Sequence, residues 1–178
     1  MANIEPPYET YVDQIIEYKE KVIDLLGNCP EIVALILDDP DVDMESDEAA
    51  EVFEKYLWDY QYVDETVQTA KAYIMVEAAR TEDNNSTIQD FSLFVEIAAS
   101  TEYVKLDHKK FVGMSGNRID NLARFVDHCL NGSRDFGIGK LKPKDIRPVS
   151  TPKNFRGIML TYSPVDFGKN TGVVKSRG

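Results

Sequence analysis

The stretch "STIQDFSLFVEIAAS", residues 86–100, decides the fold class. Ile88, Asp90, Ser92, Phe94, Glu96 and Ala98 fall on one side of an extended chain. Phe91, Leu93, Val95 and Ile97 fall on the other. Side chains alternate across a strand with period two, so this is a half-buried strand with one wholly apolar side. Upstream, "KAYIMVEAAR" (71–80) is rich in the β-branched and aromatic residues that suit a pleated surface. "TEDNNS" (81–86) between them is built of turn formers. The two segments are expected to pair as an antiparallel hairpin.

Working outward, the pattern changes period. Residues 9–26, "ETYVDQIIEYKEKVIDLL", read as an amphipathic helix. Val12, Ile15, Ile16, Val22, Ile23 and Leu26 form a stripe that Lys19 interrupts. Gly27-Asn28 is a helix stop, and Pro30 suits the start of a second short helix over 31–37. Ser46 can cap a third over 47–57. Trp58, Tyr60 and Tyr62 are either core or a flat interface patch, with core the favoured reading. Beyond the hairpin, residues 101–116 show no period and read as a long loop. Ile119, Leu122, Ala123, Val126, Cys129 and Leu130 then recur at helical spacing, and Asn131-Gly132 ends that helix. "LKPKDIRPVS" (141–150) reads as an edge strand, because Pro143 and Pro148 cannot donate ladder hydrogen bonds. "FRGIMLTYSPVDF" (155–167) alternates as a last long strand. The order predicts an α+β fold, a mostly antiparallel sheet packed by helices on one face or end. Residues 1–167 are expected to form one domain, an acidic helical part over 1–70 and a sheet-and-helix core over 71–167. Residues 168–178 are expected to form a basic, flexible tail.

The 178 residues carry a net charge of −11, unevenly spread. Residues 1–70 hold 19 acidic and 3 basic side chains, a net of −16, and residues 71–178 hold 12 acidic and 17 basic, a net of +5. The acidic half would repel phosphates, which argues against simple nucleic-acid binding. The same asymmetry suits self-association, the acidic part of one copy meeting the basic part of the next; the plainer alternative is a solvated acidic surface that aids solubility. No apolar run nears the roughly 20 residues that span a bilayer. The acidic N-terminus is not expected to be a secretory signal, and two distant cysteines, Cys29 and Cys129, predict no disulfide framework. Synthesis in a reducing cytoplasm is the expectation.

Chemistry is hard to find. His128 and Cys129 are adjacent, hence about 100° apart around a helix, so their side chains diverge. "GIGK" (137–140) lacks the spacer and the Ser or Thr of a phosphate loop and leads from helix to strand, the reverse of that motif. His108 has only the adjacent Asp107 near it at ligand spacing. Asp39, Asp41 and Asp43 alternate like a calcium loop, but Met44 stands where its glycine belongs and Ala50 where its glutamate belongs. The expectation is a non-enzyme without cofactor or metal.

The order from 71 to 167 resembles tailed-bacteriophage neck proteins, the head–tail connector and tail-terminator group. The likeness rests on "GNRIDNLARFVDHCLNGS", the "GIG" turn and "GIMLTYSPVDF", and covers about 100 residues. The resemblance implies a structural protein of the virion, made in the bacterial host cytoplasm. It implies a homo-oligomeric ring, a hexamer in that group, joining the tail tube to the head connector. Its partners would be copies of itself, tail-tube protein and connector or portal-side proteins, with genomic DNA passing through unbound. Asp38, Asp39, Asp41, Asp43 and Glu45 are the acidic candidates for the subunit interface. Arg118, Arg124 and Arg134 on the helix, with Lys169, Lys175 and Arg177 in the tail, are the basic ones. Competing readings are a head-closure ring one layer higher, an acidic protein that binds a host factor, and a carboxylate-and-metal enzyme at Asp38–Glu48.

Overall fold

The computed structural model describes residues 10–60, 71–82, 89–134, 140–149, 151 and 153–164. Four helices and five strands follow in the order α1 (Tyr11–Gly27), α2 (Pro30–Leu37), α3 (Asp47–Lys55), β1 (Leu57–Trp58), β2 (Ala72–Glu82), β3 (Gln89–Ser100), α4 (Arg118–Leu130), β4 (Leu141–Val149) and β5 (Phe155–Pro164). The strands form one sheet in the order β1-β2-β3-β5-β4. β1 runs parallel to β2, and every other pairing is antiparallel. The fold is therefore α+β, as the hydrophobic periods predicted. The turn at 83–88 and the "GIG" glycines lie outside the described residues.

The register of β3 follows from its alternation. Leu93, Val95 and Ile97 lie opposite Ala78, Val76 and Ile74 of β2 on one side, and Tyr162, Leu160 and Ile158 of β5 on the other. These side chains share one face, and the core of the helices buries against it. Val22, Leu26, Val52, Leu122, Val126 and Leu130 join the same cluster. A slip of one residue would turn the whole apolar row to the opposite face, so the register is strongly specified. α2 is apolar nearly all round, and Ile32, Val33, Ala34, Leu35 and Ile36 are all buried between α1, α3 and α4. A helix without a polar face belongs in the interior.

The second face of the sheet carries a smaller cluster of Tyr73, Met75, Ala98 and Phe155, with Tyr56 and Trp58 against it. Trp58 packs 4.9 Å from Tyr73 and stacks 5.9 Å from Tyr60. Trp58 is half-buried, in line with the favoured core reading, whereas Tyr60 is 50% exposed. Tyr62 lies outside the described residues. Met75, Glu77, Phe94, Glu96 and Met159 line a shallow pocket on this face.

Three local features depart from the sequence pattern. Leu57, expected at the end of α3, instead starts β1, and its partner across the ladder is Ile74. The apolar stripe of α1 is buried only in its later part; Val12 and Ile16 are exposed. Lys19, which breaks that stripe, reaches across the fold to donate to the Asp59 carbonyl at 2.6 Å and sits 3.9 Å from the Glu77 carboxylate. Gly27 is the last residue of α1 and not its stop; the cap is Asn28. Gly27 is small for a packing reason, because a Cβ there would lie 2.3 Å from the Phe53 ring.

That contact gives the first prediction. Gly27→Ala forces Phe53 to move within a packed interior, a change that costs about 1–3 kcal/mol. Urea unfolding should show the loss, and Phe53→Leu in the same chain should recover part of it. Equal stability of Gly27→Ala and the unaltered protein would show that Phe53 moves freely.

Candidate functional site

Arg118 opens α4, and its surroundings explain why a charged residue lies buried there. Asn117 caps the helix by accepting from the Asp120 backbone N–H, while the Asp120 carboxylate accepts from the Asn117 N–H. This reciprocal arrangement fixes where the helix begins. Arg118, 2% exposed, then points inward. Its Nε donates to the Tyr103 carbonyl at 2.9 Å, and its Nη1 donates to the Leu35 carbonyl. Its Nη2 meets the Asp38 carboxylate at 2.5 Å. The guanidinium plane lies 4.0 Å from the centre of the Tyr103 ring. A planar fork with five donors suits such a site, where the compact ammonium of a lysine could not span acceptors set around a plane.

Asp38 is the other half of this latch. It terminates α2 in the left-handed conformation, with φ 61°, and its backbone N–H returns to the Ala34 carbonyl. Asp tolerates that conformation better than most side chains. Lys110 donates to both the carbonyl and the carboxylate of Asp38. Tyr103 completes the arrangement, its hydroxyl donating to the Ile36 carbonyl at 2.8 Å. Burial pushes the Tyr103 hydroxyl up to about 12. Burial would also raise the Asp38 carboxyl, but the hydrogen bonds and charges of Arg118 and Lys110 outweigh it and hold it below the usual carboxylate range.

From this anchor the acidic segment runs outward. Residues 38–54 contain nine acidic side chains and no basic one. Asp39 accepts from the Asp41 N–H at 3.1 Å, and Asp43 accepts from the Glu45 N–H at 3.0 Å. These carboxylates fold their own loop instead of converging. Among the described residues no three His, Cys, Asp or Glu side chains are grouped to hold a metal ion. Val42 and Met44 turn toward the core between them. Ser46 caps α3 by accepting from the Ala49 N–H, as its sequence position predicted.

The candidate interface residues therefore separate. Asp38 and Arg118 are paired with each other inside one chain and do not stand free on its surface. Asp39, Asp41, Asp43 and Glu45 are exposed. Arg124 is exposed and donates to the Asn121 side chain at 3.1 Å. Arg134 is exposed beyond the end of α4. Lys169, Lys175 and Arg177 lie outside the described residues. His128 is exposed, while Cys129 is half-buried and hydrogen-bonded to Cys29, a neighbour that their separation in sequence hides. Both thiols are free. Their hydrogen bond, with burial, holds the Cys29 proton on.

A second charged region escaped the reading of the sequence. Residues 140–156 hold six basic side chains and one acidic, a net of +5, which equals the excess of the entire second part of the chain. Lys142, Lys144, Arg147, Lys153 and Arg156 are exposed along the β4–β5 hairpin. Its signal in the sequence is a local density of Lys and Arg within a strand that Pro143 and Pro148 mark as an edge. The topology gives the two regions opposite places. α3 packs on β1 at one edge of the sheet, and β4 is the other edge. Four strand spacings of about 4.8 Å put roughly 19 Å between these edges.

An α+β protein with helices on one sheet face and opposite charge at the two sheet edges is thus the class that the fold defines. The chain belongs to the YomW family, whose model matches residues 21–164. Comparison with curated proteins gives no match. Among solved structures, the chain is similar to one titled "Virion of native gene transfer agent (GTA) particle". The TM-score is 0.42 and the identity 11%, over 82% of this chain and 90% of that one. That is looser than a shared fold, and the family membership rests on the sequence match alone.

Two predictions follow from the latch. Arg118→Met leaves the Leu35 and Tyr103 carbonyls without this donor and the Asp38 carboxylate with Lys110 alone, which costs about 2–4 kcal/mol, and Arg118→Lys recovers little of it. Chemical unfolding of the three proteins measures this; full rescue by lysine would show that only charge matters. The pH dependence has a definite sign. A carboxyl whose folded pKa is depressed contributes stability above its unfolded value of about 4, and that contribution is lost as pH falls through the lower folded value. Below pH 4, the melting temperature of the unaltered protein should therefore fall more steeply than that of Asp38→Asn. Parallel curves would remove Asp38 from the account.

Proposed function

We propose that this chain is a structural protein of a tailed-phage virion, a tail-terminator-like ring that joins the tail tube to the head connector around the DNA channel. The observation that carries the proposal is the placing of the acidic helix α3 and the basic hairpin at opposite edges of one sheet. Two complementary patches on opposite sides of a subunit do not satisfy each other in one two-fold contact. They favour head-to-tail association, which closes into a ring when the rotation per subunit permits. The sequence likeness of residues 71–167 to neck proteins supplies the setting. It implies a hexameric ring with tail-tube and connector proteins as neighbours.

The surface of α1 fits the same role. Glu17, Glu20 and Asp24 are exposed along it. Facing a channel, such a surface repels phosphates and lets the genome slide past without adhering. The protein would then be found in the neck of the virion after synthesis in the host cytoplasm, and its work would be mechanical, without a reaction.

The purified full-length chain tests this. Negative-stain images and sedimentation at high protein concentration should show closed rings, which should bind tail-tube or connector protein from the same phage. A chain that stays monomeric and binds neither overturns the proposal.

A further inference from the structure

Each edge of the sheet carries more than charge. At the β4 edge, Ile146 is 54% exposed, on a strand whose Lys142, Lys144 and Arg147 are exposed too. At the β1 edge, Tyr60 is 50% exposed and stacked on Trp58, in the segment that follows α3 in the chain. An apolar centre inside a charged rim is the anatomy of a protein–protein contact. Here each edge carries an exposed apolar side chain and charge, with the charge of opposite sign at the two edges. We infer that the β4–β5 hairpin of one copy seats on the α3 and β1 edge of a second copy. Ile146 then meets the Trp58–Tyr60 stack, and the lysines meet the α2–α3 acids. The inference rests on the ring reading and names the surfaces that would close it.

The covalent structure of β4 says how the contact is made. Pro143 and Pro148 lack the N–H that a further strand would need, and the ladder to β5 shifts between Pro143 and Asp145. An edge so interrupted resists open-ended extension of the sheet. The copies therefore meet through side chains, and the contact is electrostatic at its rim and sensitive to salt. The partner surface is held in place by the latch: Arg118 and Lys110 fix the start of the acidic loop at Asp38, so the acids beyond it are presented from a defined origin.

A charge-swap experiment on the full chain decides the matter. The hairpin variant carries Lys142→Glu, Lys144→Glu, Arg147→Glu and Lys153→Glu, which takes residues 140–156 from +5 to −3; the helix variant carries Glu45→Lys, Asp47→Lys, Glu48→Lys, Glu51→Lys and Glu54→Lys, which takes residues 38–54 from −9 to +1. Each alone should be monomeric by native mass spectrometry and sedimentation velocity, with its circular dichroism unchanged. Mixed in equal amounts they should reassemble, because both contacts of an alternating ring are again of opposite sign. Ile146→Ala should raise the concentration for half assembly about tenfold, as loss of a buried apolar anchor does. Should the helix variant unfold, the milder Glu48→Gln/Glu54→Gln takes its place and should assemble only at protein concentrations well above those the unaltered chain needs. Assembly of either reversed variant on its own overturns this contact while leaving the ring intact, and so does failure of the mixture to reassemble. A monomeric unaltered chain overturns contact and ring together.

Discussion

The buried guanidinium of Arg118 is the interaction on which the rest of the arrangement depends. It ties the end of α2, the loop after β3 and the start of α4 to one point, through the Leu35 and Tyr103 carbonyls and the Asp38 carboxylate. These three segments are distant in sequence and none is held by a strand ladder at that point. Burying a cation is expensive unless its partners are complete, and here the fork is satisfied by two carbonyls, one carboxylate and the face of Tyr103. The arrangement also fixes the exit of the acidic loop. Without the latch the helical layer would still bury its apolar residues, but the nine acids of residues 38–54 would have no set origin.

The sheet supplies what the latch does not. β3 and β5 lie inside it, and their alternation gives one face to the helices and the other to a smaller aromatic cluster. The helices cannot move across the sheet without exposing α2, which has no polar side to offer water. Sheet order then dictates that α3, tied to β1, and β4, on the outside of β5, stand apart. Charge separation along the chain thus becomes charge separation in space. Any other strand order could have placed the acids and the bases side by side, where they would neutralise each other within one molecule.

How much of this the sequence disclosed depends on the range of the interaction. The period of residues 86–100, the caps at Ser46 and Asn131, and the prolines of β4 are local signals, and the elements stand close to where those signals put them. The parallel pairing of Leu57 and Trp58 with β2 was not legible, because two residues carry no period. Arg118 lay on the polar face of its helix by spacing, and nothing nearby announced that the side chain would fold back under the first turn. Its partners are 15, 80 and 83 residues away. Cys29 and Cys129 likewise meet only through tertiary packing. The candidate interface was sought from the charge asymmetry along the chain. Its basic side was sought on α4 and in the tail, while the exposed excess among the described residues lies on the β4–β5 hairpin.

That displacement bears on what kind of assembly the molecule can support. Had the basic partners been the arginines of α4, donor and acceptor patches would have adjoined each other, since Arg118 touches Asp38 directly. Adjacent patches of opposite sign are satisfied within a chain or across a two-fold axis, and association stops at the dimer. Patches separated by the width of a five-stranded sheet leave one of each kind unsatisfied after every contact, so growth ends only by closure. The prolines of β4 exclude the simplest runaway alternative, strand added to strand. What remains is a side-chain contact repeated by rotation, with its symmetry set by the angle between the two edges of a twisted sheet.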